Sequence, residues 1–422
     1  KAVNPKFAFV GIVMWYTSFI SWMLNTSSII WIPISTAIFG VDKTQSWHLF
    51  GLSDVQTLGV LASLLVILVT FIASRGLSKF KLITSIGGSA MLLASFILIV
   101  GGTVILILNG HPLQPLSFAS LIKSPDPQYA SVIGTLSFSV FAVFAFGGIE
   151  IISGLVDQTK NPQKTFPRGV AISAIMITLV YCLGIFVTGM FTNWNEVFNA
   201  ANGSHVNLGN EAFIAMNNFG YQLGLALNFS HHVATEMGLW TARYIGFSMF
   251  LALMGAFTTV IFSPIKQLVE GTPEKLWPKL IRKTKYDLPV NAMKIQALLV
   301  IAFLLLVSFG GKNAKLFFQI VISMTNVAMS LPYLFIAYAY MQFRKKNDVG
   351  RPFTFFKKDS SAQLASIVVL LTVGLAIIFT LIAPILQGQF MSTVWIFAVW
   401  EQHPLIWHML PVDASRHTLS EI

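Results

Sequence analysis

The residues of this chain whose types and spacing could do chemistry are few. They gather at Phe144-Ala145-Phe146-Gly147-Gly148-Ile149-Glu150. Two adjacent glycines weaken a helix and let its backbone unwind. Unwinding frees amide and carbonyl groups, which can bind a small zwitterion or an ion, and the ends of the two half-helices add favourable dipoles. Phe144 and Phe146 stand just before the break, where they could close over a bound ligand. Ile149 and Glu150 follow it, and an ionisable group at this point suits proton coupling. A structural reading is also open. Gly147-Gly148 would then allow close helix packing, and neighbouring backbone would satisfy Glu150. Two further pairs, Gly87-Gly88 and Gly101-Gly102, have no nearby charge, so packing is the better reading for them.

A second pattern follows: Lys160-Asn161-Pro162-Gln163-Lys164-Thr165-Phe166-Pro167-Arg168. Pro162 and Pro167 argue against a continuous helix here, and the bases would hold the segment at an anionic membrane surface. On physical grounds alone it reads as an ordinary basic loop. No CxxC or HExxH pattern occurs, so neither a metal site nor a cofactor is indicated. His231-His232 reads better as a solvated pair than as ligands, since no third ligand has helical spacing. Cys182, the single cysteine, lies in an apolar run and reads as a small core residue.

These residues must be positioned by membrane-spanning elements. Of the 422 residues, 55% are hydrophobic and only 10% are Asp, Glu, Lys or Arg, with a mean hydropathy of +0.73. Ordinary soluble domains have roughly a quarter charged residues, so a soluble enzyme is excluded, and so is a disordered chain. Nine runs free of charge read as spans: Phe7–Phe39, Val55–Ala73, Leu82–Leu108, Tyr129–Val156, Val170–Phe191, Ile245–Ile265, Ile295–Gly310, Leu316–Phe343 and Leu364–Gln387. Glu150 interrupts the fourth and is the only acid within any of them. A tenth run begins near Met391 and stops at Trp400, too short to cross a bilayer. The runs are apolar on all sides and about twice a barrel strand's length, so they are helices.

The net charge of +11 reports orientation. One alternating set of loops, from Lys1 through 74–81, 157–169, 266–294 and 344–358, holds 21 of the Lys and Arg residues, and the other set holds five. The basic set is cytoplasmic, and nothing calls for a nucleic-acid partner. The outer segment Thr192 to Trp240 has no Lys or Arg, and within it Glu211 to Leu227 reads as an amphipathic helix over the outer face.

The residues from Phe146 to Glu150, followed by Lys160 to Arg168, resemble the sixth helix and following loop of the amino acid–polyamine–organocation transporters. Ser263-Pro264, Gly271-Thr272-Pro273, Leu276-Trp277-Pro278, Ser330-Leu331-Pro332-Tyr333-Leu334 and Arg351-Pro352-Phe353 extend the similarity toward the glutamate/GABA antiporter branch. The resemblance runs from Lys1 to about Val399. It implies an all-α, LeuT-like bundle of inverted repeats, in an inner or plasma membrane, with substrate held between the broken first and sixth helices. By that analogy Phe144, Phe146, Gly147, Gly148 and Ile149 bind substrate, with Phe144 at an aromatic gate. Glu150 takes the acidic position tied to protons, and Lys160, Asn161, Pro162, Lys164, Pro167 and Arg168 form the cytoplasmic loop motif.

The expected function is secondary active transport of an amino acid or related amine, by antiport or proton-coupled symport. The similarity begins before the third family helix, so the chain reads as family helices three to eleven plus a stub. Residues 1–400 would be the transporter domain and 401–422 a divergent polar tail. A transport-incompetent fragment is the alternative. A membrane enzyme would need a catalytic cluster that Glu150 alone does not make, and a channel fits the broken helix less well than alternating access.

Overall fold

The computed structural model describes residues 4–75, 78–114, 129–148, 159–194, 209–285, 288–310, 314–346 and 354–386, with isolated positions between them. Almost all of these are helical, and among them the only β pairing is one bridge between Lys285 and Leu288. An apolar run in lipid must satisfy its amide and carbonyl groups within itself, and the helix does so.

The helices are α1 Pro5–Ile29, α2 Trp31–Phe39, α3 Asp54–Ala73, α4 Ser78–Asn109, α5 Val132–Ala145 and α6 Pro162–Phe191. They continue with α7 Glu211–Ala226, α8 His231–Glu270, α9 Val290–Phe309, α10 Ala314–Arg344 and α11 Asp359–Leu386. Each of the nine predicted spans overlaps one of them, with α1 and α2 sharing the first, but of the fourth, Tyr129–Val156, α5 covers only Val132–Ala145. Among the described residues seven spans are long and apolar enough to cross a membrane. The run near Met391 and the tail 401–422 lie outside the described residues.

Local signals set several ends. Ser53 and Gln56 form a reciprocal capping box at the start of α3. Gly40, at φ +79°, closes α2 with its N–H on the Thr36 carbonyl. Three expectations need correction. Pro162 and Pro167 do not prevent a helix: Pro162 takes the first position of α6, after Asn161 at φ +50°, and α6 runs on through Pro167. The first turn has no intrahelical donors to lose, so Pro162 costs little there. Cys182 is exposed on α6 rather than buried. His231 and His232 open α8 behind the cap of Ser230, and α8 is 40 residues long where the charge-free run covered Ile245–Ile265. Its outer part packs against α7, which buries Phe213, Met216 and Phe219.

Helix α8 is the central post, in contact with α7, α4, α2, α1 and α3. The main core joins Trp15, Phe19 and Met23 of α1, Val66 and Val69 of α3, Phe257 and Ile261 of α8 and Met293 of α9. Further packed pairs are α1 with α10, α3 with α9, α4 with α6, and α11 with both α10 and α5. The order of the pairs is informative. Exchanging α1, α3 and α4 with α8, α9 and α10 carries the α1–α10 pair onto α8–α4 and maps α3–α9 onto itself. Four of the predicted spans lie between α1 and α8, so the two run oppositely. This is the pairing an inverted repeat requires.

Small residues permit the close approaches. A Cβ at Gly87 of α4 would lie 2.6 Å from the backbone at Leu251–Ala252 of α8, and Gly101 and Gly102 sit against Phe219 and Val187. Gly88 faces open space, so only one member of its pair packs. Replacing Gly87 by Ala should therefore destabilise the protein by about 1–3 kcal/mol. Thermal melting in detergent should show a lower midpoint for Gly87→Ala and almost none of that loss for Gly88→Ala.

Candidate functional site

Helix α5 is too short to cross a membrane. Ser131 caps its start by accepting from the Gly134 N–H (2.9 Å), and the helix stops at Ala145. Its 14 residues span about 21 Å at about 1.5 Å per residue, short of a hydrocarbon core of about 30 Å. The last turn tightens: Phe146 N–H donates to the Val143 carbonyl (3.2 Å) and Gly147 N–H to that of Phe144 (2.8 Å). Gly148 then adopts φ +96°, open to glycine and strained for any residue with a Cβ.

The backbone groups released there are met by side chains of three other helices. Gly148 N–H donates to Tyr333 Oη of α10 (3.1 Å). Tyr181 Oη of α6 donates to the Ala145 carbonyl (3.1 Å). Beyond the break, Ile151 N–H donates to the Gly148 carbonyl (3.1 Å). The Ile151 carbonyl accepts from Ser263 Oγ of α8 (2.6 Å) and from Gln267 Nε2 (3.3 Å), and Gln267 also donates to Ser263 Oγ (3.1 Å). Ser263 is fully buried. A Cβ at Gly147 would come within 2.8 Å of Tyr333 Oη, so that hydroxyl fills the space the glycine leaves.

A second polar link lies behind the first. Gln296 of α9, buried, donates to the Ile261 carbonyl of α8 (3.0 Å) and accepts from Tyr16 Oη of α1 (2.9 Å). It ties the turn of α8 that precedes Ser263 and Pro264 to two neighbouring helices.

Of the residues expected at the site, the structure brings Phe144, Phe146, Gly147 and Gly148 together. The two aromatics diverge: Phe144 packs on the main core, while Phe146 is half exposed and meets Tyr181 edge-on at 5.4 Å. Ile149 and Glu150 lie outside the described residues. The loop motif lies elsewhere. Lys160, Lys164 and Arg168 are exposed, and Asn161, Pro162 and Pro167 shape the start of α6. Arg168 is 13 residues before Tyr181, about 20 Å along the helix. Among the described residues no three His, Cys, Asp or Glu side chains converge on a metal position. His231 pairs instead with Tyr221 (3.0 Å).

Sequence reasoning did not assign Tyr181, Ser263, Gln267 or Tyr333 to the site. Two of them carried a signal: Ser263 directly precedes Pro264 and Tyr333 directly follows Pro332, each proline inside a membrane helix. A proline there removes a backbone donor and calls for polar neighbours.

A family model described as amino acid permease matches residues 1–407. The chain belongs to the amino acid permease family. The inner membrane transporter YjeM of Escherichia coli (strain K12) is 45% identical over 398 residues, covering 94% of this chain and 78% of that protein. The aspartate/glutamate permease AcaP of Lactococcus lactis subsp. cremoris (strain MG1363) is 25% identical over 378 residues, covering 88% and 71%. A glutamate/gamma-aminobutyrate antiporter of Lactococcus lactis subsp. lactis (strain IL1403) is 23% identical over 255 residues, covering 60% and 46%. The permease is thus a multi-pass inner-membrane transporter, not an enzyme.

The double hold on the Ile151 carbonyl makes a direct test of the site's construction. Ser263→Ala should cost about 0.5–1.5 kcal/mol, the net range for a hydrogen bond whose acceptor keeps another donor. Gln267 still donates in that variant, so Ser263→Ala/Gln267→Ala should cost more than the sum of the single changes. A double-mutant cycle on thermal unfolding measures the coupling, and strict additivity would contradict a shared acceptor.

Proposed function

We propose that the permease is a secondary active transporter of amino acids or related amines, working by alternating access with antiport or proton-coupled symport. The observation that carries this reading is that α5, too short to cross a membrane, ends at a glycine pair with Gly148 at φ +96°. Irregular backbone at membrane depth is tolerated where it is buried in protein or lines a cavity. An amide that can point at a carboxylate and a helix C-terminus that favours a cation suit the two ends of an amino acid. Phe144, Phe146, Gly147, Gly148 and Ile149 are assigned to substrate contact, Glu150 to proton coupling, and residues 1–400 to the transporter domain. The names of the Lactococcus relatives favour acidic amino acids and gamma-aminobutyrate among the substrates to try first.

Reconstitution into proteoliposomes tests the assignment. Labelled amino acids and their decarboxylation products should enter saturably, and preloading with unlabelled substrate should accelerate entry if the mechanism is exchange. Glu150→Gln should flatten the pH dependence of uptake while leaving the protein folded. Background uptake for every compound in the panel would sink the reading. An unchanged pH profile in Glu150→Gln would remove only the proton-coupling role.

A further inference from the structure

The segment between α8 and α9 is more ordered than a connecting loop needs to be. Thr272 Oγ1 donates to the Leu268 carbonyl, and Trp277 Nε1 donates to Thr272 Oγ1, both at 2.6 Å. Trp277 and Ile281 pack on the main core, and Leu288 is buried within it. The bridge between Lys285 and Leu288 closes with two backbone bonds (2.9 and 3.1 Å). Asn291 Nδ2 donates to the Leu280 carbonyl (2.9 Å), which fixes the helical turn Lys279–Arg282 beside the first turn of α9.

The side chains of this segment are sorted by type. Trp277, Ile281 and Leu288 face the protein, while Lys275, Lys279, Lys283 and Lys285 are exposed. Arg282 and Glu274 form an ion pair at 2.5 Å, so Glu274 does not neutralise the lysines. Over residues 271–294 the sequence carries six bases against two acids, Glu274 and Asp287. Leu280, between Lys279 and the paired Arg282, is 63% exposed. An exposed leucine among lysines is out of place facing water, but it suits the edge of a bilayer.

Helix α9 continues the pattern into the membrane. Asn291, Lys294, Ile295 and Leu298 are spaced three, four and seven residues apart, on one helix face. Lys294 is exposed, as are Ile295 and Leu298, the latter at 69%. Asn291 of that face holds the Leu280 turn. A basic turn bearing an apolar side chain therefore sits at the foot of an apolar stripe that is exposed among the described residues, with one more lysine at the junction.

We propose that this corner binds an anionic phospholipid. Lys279, Lys283 and Lys294 would take the phosphate headgroup, and Leu280, Ile295 and Leu298 its acyl chain. Bases alone would be accounted for by loop topology. The assignment of a lipid rests on the Asn291–Leu280 bond that sets the basic turn beside the start of α9, on the exposed Leu280 and on the apolar stripe that starts there. The positive-inside count places the corner in the cytoplasmic leaflet, where basic segments meet anionic headgroups.

Native mass spectrometry of the purified full chain, exchanged from mixed micelles of phosphatidylglycerol or phosphatidylcholine, reads this directly. Wild type should retain phosphatidylglycerol in preference to phosphatidylcholine. Lys279→Gln/Lys283→Gln/Lys294→Gln should weaken that retention about fivefold per charge removed. Leu280→Ser should weaken it with all charges in place. Lys345→Gln/Lys357→Gln/Lys358→Gln, equal in charge and on another inner segment, should not. All these positions are exposed, and melting curves confirm that each variant folds. Equal loss in the two charge-matched triples would overturn the proposal in favour of diffuse attraction. So would full retention in the first triple, no effect of Leu280→Ser, or displacement of the lipid by millimolar inorganic phosphate.

Discussion

A helix that ends within a membrane must hand its backbone polar groups to something other than water. The organisation of this permease depends on how that constraint is met at Ala145–Ile151. An unsatisfied amide or carbonyl in hydrocarbon costs several kcal/mol. The protein offsets that cost with four side chains from three helices: Tyr181 of α6, Tyr333 of α10, and Ser263 with Gln267 of α8. Each of those helices must then hold its position to within hydrogen-bonding tolerance, and the packing of the rest of the bundle follows from that requirement.

Helix α8 carries the largest share of that task. Its glycines and those of its neighbours bring backbones into direct contact, as at Gly87 against Leu251–Ala252 and Gly246 against Pro33 and Ala37. Between lipid-facing helices there is little hydrophobic drive, so close van der Waals contact and buried polar links supply the association. The Tyr16–Gln296–Ile261 link is of the second kind, and it fixes the turn of α8 just before the one that holds Ile151. Helix α6 marks the other extreme. It exposes Ile172, Ile175, Ile185 and Phe186 along most of its length, and its Tyr181 reaches the break.

The sequence discloses the parts of this arrangement that depend on local composition. Charge-free runs locate the nine spans because lipid imposes the same demand on each. Gly147-Gly148 is singled out by Glu150 beside it, whereas Gly87-Gly88 and Gly101-Gly102, with no nearby charge, stay within the unbroken α4. What it does not disclose is non-local. Tyr181, Ser263 and Tyr333 lie 36, 112 and 185 residues from the atoms they bond, and no periodicity encodes such distances. The outer half of α8 is hidden by Glu236 and Arg243, which end a charge-free run without ending a helix. Pro167 misleads for a related reason: one lost backbone donor near the start of a 30-residue helix is a smaller penalty than the rule for helix interiors suggests. Cys182 misleads because an apolar neighbourhood in a membrane helix includes its lipid-facing side.

The chemistry of the four supporting side chains bears on how such a site could change state. All are neutral, and three are hydroxyls, which donate or accept as the partner requires. A neutral hydrogen bond contributes on the order of 0.5–1.5 kcal/mol net, whereas an abandoned buried group costs about 1–3. The cheap exchange is therefore one partner for another, not a bond for nothing. Under the transport reading, a substrate carboxylate that takes the Gly148 amide would release Tyr333. A substrate ammonium at the end of α5 would likewise compete with Tyr181 for the Ala145 carbonyl. A charged group makes the stronger bond, so bound substrate would favour the exchange and an empty site would return the tyrosines. Glycines at 147 and 148 permit this because no Cβ stands between the amide and either partner. A rigid, fully helical α5 would meet the membrane's demand equally well, but it would leave no amide to exchange.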